Sequence, residues 1–128
     1  MKLLLDTCSF LWLVADSDEL SPTARRAFSD PDNEVYLSAA SSWEIGAKWS
    51  LGRLPLPEEP GSFISRQREQ HLITPLPINE EATFHLPKLP SHHKDPFDRI
   101  LICQAIEHTM TILTPDPLIH QYPVRTLW

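Results

Sequence analysis

Short apolar runs that end on a polar or acidic residue, each followed by a helical pattern, recur along this chain, and that alternation constrains its fold more than any other feature. Lys2–Leu5 is the first run, closed by Asp6 and Thr7, and residues 9–15 follow as an amphipathic or buried helix. Ser21-Pro22 reads as an N-cap with proline at the first helical position, opening a helix over 22–28. Residues 34–39 (EVYLSA) are β-rich, and the segment 41–54 carries Trp43, Ala47 and Leu51 at i, i+4 and i+8, a helical stripe. A polar helix over 62–70 leads to a short strand over 72–76, where Pro75 and Pro77 predict an edge position. A helix opening at Asn79, a strong helix over 97–108 and short strands over 111–114 and 124–127 complete the pattern. Strands alternating with helices predict an α/β fold, with a mostly parallel central sheet of about four to five short strands flanked by helices.

The rest of the sequence narrows what such a domain can be. A chain of 128 residues suits one domain with a single core, spanning 1–128. Thirteen prolines against three glycines mean that turns are made with fixed φ, so long uninterrupted strands are not expected. The net charge of −6 excludes a broad basic surface for nucleic acid, and any such role must be local. Cys8 and Cys103 stand far apart with no metal-binding spacing, which predicts two reduced thiols. The opening MKLLLDTCSFLWLVAD has an export-like start, but Asp6 interrupts it. No apolar run approaches the roughly 18 residues of a membrane span, so the expectation is a cytoplasmic protein with no membrane partner.

Four carboxylates sit where a purely structural reading finds them costly. Asp6 ends the first strand, Glu44 lies just inside the helix after the second, Asp98 is in the first turn of the helix over 97–108, and Asp116 follows the strand TILT. Ligands of open parallel sheets gather at the carboxyl ends of the strands, and all four acids can converge there. Converging carboxylates repel, so they persist together only when cations neutralise them, and hard oxygen donors select Mg²⁺ or Mn²⁺. Removing these four takes the charge from −6 to −2, so much of the acidity belongs to one pocket. Such an ion pairs with carboxylates and substrate phosphates, which makes phosphodiester hydrolysis the natural chemistry, with a water as nucleophile.

Each acid also has an ordinary role open to it. Asp6 can cap the following helix, Asp98 suits a helix N-terminus, Glu44 and Lys48 form an i, i+4 pair, and Asp116 fits a turn between Pro115 and Pro117. His92 and His93, beside Lys94, read as solvated loop residues, and Trp12 and Trp43 read as core. Only the joint placement of the acids carries weight.

The segment His93-Lys94-Asp95-Pro96-Phe97-Asp98-Arg99-Ile100-Leu101 resembles the HxDPFDRLL signature of PIN-domain ribonucleases of the VapC toxin type. LLLDTCSFLW resembles that family's opening strand with its first Asp, SSWEIGAKWSLGRLPLP the segment carrying its Glu, and TILTPDPLI its Thr-x-Asp strand end. The resemblance spans nearly the whole chain. It implies a PIN-like fold and a metal-dependent endoribonuclease in which Asp6, Glu44, Asp98 and Asp116 hold Mg²⁺ or Mn²⁺. Asp95 precedes a proline, which biases it toward an extended cap position, whereas Asp98 lies inside the helix and is preferred as the ligand. Thr7 and Thr114 can hydrogen-bond the ligand carboxylates, and Arg99 can pair with Asp95 or meet a phosphate.

The resemblance further implies an RNA substrate, a cognate antitoxin protein and a homodimer, to which Leu54, Leu56 and Phe63 can contribute as exposed apolar positions. Two rivals, one from the same broad chemistry and one from another class, are weaker. An Asp-nucleophile phosphatase wants a second Asp two residues after the first, where Cys8 stands. A catalytically inert PIN-like module that only holds a protein or RNA partner has no need of the full acid set.

Overall fold

The computed structural model describes residues 1–128. Five strands, β1 (Lys2–Leu5), β2 (Glu34–Ser38), β3 (Ile73–Leu76), β4 (Thr111–Leu113) and β5 (Arg125–Leu127), form one sheet in the order β3-β2-β1-β4-β5. Every pairing is parallel; Leu4, for example, stands opposite Tyr36 on one side and Ile112 on the other. The helices are α1 (Thr7–Val14), α2 (Pro22–Ser29), α3 (Ala39–Ser50), α4 (Pro60–His71), α5 (Glu80–Thr83) and α6 (Pro96–His108), with 3₁₀ turns at Leu86–Lys88 and Ile119–Gln121.

The central strand explains the layering. Leu3, Leu4 and Leu5 are fully buried because β1 is covered on both faces, which is why it reads as an unbroken apolar run. Successive side chains point to opposite faces. Leu3 and Leu5 join Phe10, Leu13, Ala24, Ile45, Phe63 and Ile64 from α1, α2, α3 and α4, while Leu4 joins Leu101, Ile102 and Ala105 of α6. Strand order reverses at β1, whose chain continues outward to β2 and β3 on one side and returns as β4 and β5 on the other. The carboxyl end of the β1–β4 pair is therefore the switch point where an open α/β sheet leaves a crevice. No helix is long and apolar enough to cross a membrane.

Several expectations change in detail. Asp6 itself is the N-cap of α1, accepting from Ser9 N at 2.8 Å, so that helix begins at Thr7. The Trp43–Ala47–Leu51 stripe faces outward, with Trp43 73% and Leu51 66% exposed, and α3 turns Ser41, Glu44 and Ile45 inward. The reason is that the inner face of α3 serves a polar pocket, so its hydrophobic pattern does not mark its buried side. Trp12 is half-buried against Trp128, ring centroids 5.8 Å apart, which pins the C-terminus to α1. Phe63 belongs to the core, and Leu54 and Leu56 are partly buried against it, so none of the three is fully exposed. Cys8 and Cys103 are both free thiols. β3 is an edge strand, which accommodates Pro75 without a ladder donor.

Candidate active site

A cavity of about 190 Å³ opens at the switch point, and Asp6, Thr7, Cys8, Glu44, Lys48, Asp95, Asp98 and Asp116 line it with Leu11. The structure thus brings together all four acids singled out from the sequence, and adds Asp95. Asp6 is delivered by the end of β1 and is buried. Its Oδ1 caps α1, and its Oδ2 accepts from the Thr114 hydroxyl at 2.5 Å. Thr114 in turn accepts from Asp116 N at 3.1 Å, so one buried hydroxyl fixes the acids that follow β1 and β4. Asp116 Oδ1 closes its own turn by accepting from Leu118 N at 2.9 Å.

Glu44 enters from α3 and is also buried. Thr7 Oγ1 lies 2.6 Å from its Oε1 and Lys48 Nζ lies 2.7 Å from its Oε2, so the i, i+4 pair forms at the mouth of the pocket. The hydrogen bond to Glu44 holds the Lys48 ammonium above its ordinary pKa. Asp95 is the N-cap of α6, its Oδ1 accepting from Phe97 N at 2.9 Å and Asp98 N at 3.2 Å. Asp98, one turn in, is mostly buried with 19% of its side chain exposed. Burial, then the nearby charges of Asp95 and Asp6, push its carboxyl up to about 7. Burial and Asp6 likewise push the Cys8 thiol up to about 12, so this cysteine is an inert wall of the pocket rather than a nucleophile.

Two residues behave differently from their sequence reading. Arg99 forms no ion pair with Asp95; its Nη1 donates to Pro90 O at 3.0 Å and to the Tyr122 hydroxyl at 3.0 Å, tying the loop before α6 to the C-terminal segment. His93 is not solvated: 10% of its side chain is exposed and its Nε2 lies 3.4 Å from Asp98 Oδ2, although His92 beside it is exposed. Ligand atoms of His93, Asp98 and Asp116 all fall within 4.8 Å of one another. The burial of His93 is set by Tyr122, far along the chain, and no local pattern signals it. A second cavity of about 300 Å³, between α5 and α6, is walled chiefly by apolar residues such as Ile78, Ala82, Leu86 and Ile100 and holds no carboxylate.

The donor set fits a divalent cation. Five carboxylates face one small cavity with a single ammonium among them, and burial, together with the charges of Asp95 and Asp6, raises the Asp98 carboxyl there. The oxygens are hard donors of the kind that Mg²⁺ and Mn²⁺ prefer.

The PIN domain family pattern matches residues 3–124, nearly the entire chain. The chain belongs to the PIN domain family. Ribonuclease VapC16 of Mycobacterium tuberculosis is 36% identical over 61 residues, a stretch that takes in 48% of this chain and 43% of that relative's length. Among solved structures, VapBC2 from Rickettsia felis bound to a DNA fragment from its promoter has a TM-score of 0.73 at 12% identity, covering 98% of this chain and 97% of that one. VapBC-1 from nontypeable Haemophilus influenzae has a TM-score of 0.65 at 18% identity, covering 94% and 91%. FitAcB from Neisseria gonorrhoeae follows with a TM-score of 0.56 at 18% identity, covering 97% and 95%. At these identities the structures speak for the fold, a PIN-like parallel sheet flanked by helices.

Proposed function

We propose that this PIN domain is a metal-dependent endoribonuclease, the toxin of a toxin–antitoxin pair, acting in the cytoplasm. The observation that carries the reading is the meeting of Asp6, Glu44, Asp98 and Asp116 in one cavity at the sheet's switch point. The likeness to a named ribonuclease over 48% of the chain supports the same chemistry. Asp6, Asp98, Asp116 and Glu44 are the residues that would hold Mg²⁺ or Mn²⁺; when bound, the ion supplies charge neutralisation and water activation. The chain's own residues do the rest. Thr114 fixes Asp6 and Asp116, Thr7 orients Glu44, and Asp95 fixes the first turn of α6 so that Asp98 faces the cavity. No side chain is required as a covalent nucleophile. An RNA phosphodiester approaches such a pocket only when its charge is balanced, so substrate binding without metal is weak.

The partners follow from the same reading. The structural neighbours include VapBC complexes, which supports a cognate antitoxin as partner, and a basic antitoxin side chain facing the acids is the chemistry that fits this pocket. Self-association as a homodimer belongs to the same proposal. The test is cleavage of a panel of folded RNAs by purified protein with Mg²⁺ or Mn²⁺, with chelator, and with Asp98→Asn. Metal-dependent cutting that the variant lacks supports the nuclease; metal-independent cutting, or cutting retained in the variant, overturns it.

A further inference from the structure

We propose that His93 is a positioning residue for Asp98, presenting an Nε2–H to the carboxylate and not a lone pair to a metal. The proposal rests on the reading of Asp98 as a metal ligand. It starts from the hydroxyl of Tyr122, a buried residue. That oxygen accepts from Arg99 Nη1 at 3.0 Å and from the backbone N of His93 at 3.3 Å. A phenol oxygen has two lone pairs, and both are now engaged. Its own proton then has one acceptor within reach, His93 Nδ1 at 2.9 Å. Nδ1 therefore carries no hydrogen, and in the neutral ring the hydrogen sits on Nε2.

The Tyr122 ring, against which the His93 ring packs with centroids 5.4 Å apart, is held from several sides. His92 packs edge-on against Tyr122 with centroids 4.9 Å apart, Arg99 lies over the same ring, and 10% of the His93 side chain is exposed. Nε2 is buried, has no hydrogen-bond partner, and lies 3.4 Å from Asp98 Oδ2 without the alignment of a bond. An unpaired buried donor beside a buried carboxylate is a costly arrangement for structure alone. It becomes useful once a small shift of Asp98 completes the bond, directing one carboxylate oxygen to His93 and leaving the other for the cavity. Outer hydrogen bonds of this kind typically account for 10–100-fold of metal affinity. A histidine that ligated the ion would need the opposite tautomer, with Nδ1–H donating outward and Nε2 bare. Tyr122 and Arg99 disfavour that state.

The experiment has two arms. Nitrogen-15 NMR of the metal-free wild type is expected to show His93 protonated on Nε2 and bare on Nδ1, and Tyr122→Phe to mix the two tautomers. Mn²⁺ titration followed by EPR then compares wild type, His93→Gln and His93→Ala, with melts in chelator checking that each is folded. Glutamine offers an amide N–H near the place of Nε2, so it is expected to stay within about threefold of wild type, whereas alanine loses about 10–100-fold. Pulsed EPR of the wild type is expected to show no imidazole nitrogen coupled to the Mn²⁺. If His93→Ala does not fold, Tyr122→Phe serves in its place, with a smaller loss of affinity expected. An Nδ1–H tautomer, a coupled imidazole nitrogen, a glutamine variant as weak as alanine, or an alanine variant of unchanged affinity each overturns the proposal while leaving the nuclease reading intact. A wild type that takes up no Mn²⁺ overturns both.

Discussion

Asp98→Asn is expected to stabilise the metal-free protein, and the size of the effect follows from the pocket. The Asp98 carboxyl is pushed from its ordinary 3.8 up to about 7 by burial and by Asp95 and Asp6. A shift of about three pH units at ~1.4 kcal/mol each sets a ceiling of about 4 kcal/mol. Water entering the cavity screens part of this, so about 2 kcal/mol is the working figure. For a domain of this size that is a rise in Tm of roughly 8 °C. The sign has a pH signature. Because the folded-state pKa is raised, the native protein binds more protons than the unfolded chain between about 4 and 7, and wild-type stability falls as pH rises through that window. Asparagine does not titrate, so the advantage of the variant is full above pH 7 and vanishes toward pH 4. The assay is a thermal melt of both proteins in chelator at several pH values. A variant that melts at or below wild type at pH 8, or a gap that does not shrink in acid, refutes the reasoning. Saturating Mn²⁺ adds about 2.7 kcal/mol to the wild type at 100 times its Kd and less to the variant, which narrows or reverses the order.

Three further outcomes are expected. Thr114→Val removes the hydroxyl that joins Asp6 to Asp116, costing about 1–3 kcal/mol by denaturant unfolding and about 10–100-fold in Mn²⁺ affinity by titration. Lys48→Gln frees Glu44 of its ammonium partner, so calorimetry is expected to show tighter Mn²⁺ binding, with under about 1 kcal/mol lost in metal-free stability; weaker Mn²⁺ binding contradicts the electrostatics. Thr109 ends α6 with a φ of 55°, a conformation that a β-branched residue adopts only under strain, and Thr109→Gly is expected to raise stability by about 1 kcal/mol in the same unfolding assay.

How much of this was legible in the sequence depends on whether neighbours along the chain or neighbours in space decide a residue's role. Asp6 and Asp116 were readable because each ends an apolar run, and a parallel sheet sends the ends of its strands to one edge. Asp95 was readable as a cap because Pro96 follows it. The facing of α3 was not readable: Trp43 and Leu51 suggested an inner stripe, but the inner face of this helix is reserved for Glu44 and Ser41. Arg99 carries a charge that suggested an ion pair, yet its partners are two backbone carbonyls and a phenol brought in by the C-terminal segment. His93 reads as solvated for the same reason, since Tyr122 lies 29 residues away and nothing local shows that it buries the ring.

Mn²⁺ binding to the purified protein, measured by EPR for wild type beside Asp98→Asn, tests most directly whether the converging acids form a metal centre. Saturable binding by the wild type, weakened at least about tenfold in a variant that remains folded, is the predicted result. Equal binding by the two proteins, or none by either, contradicts the account.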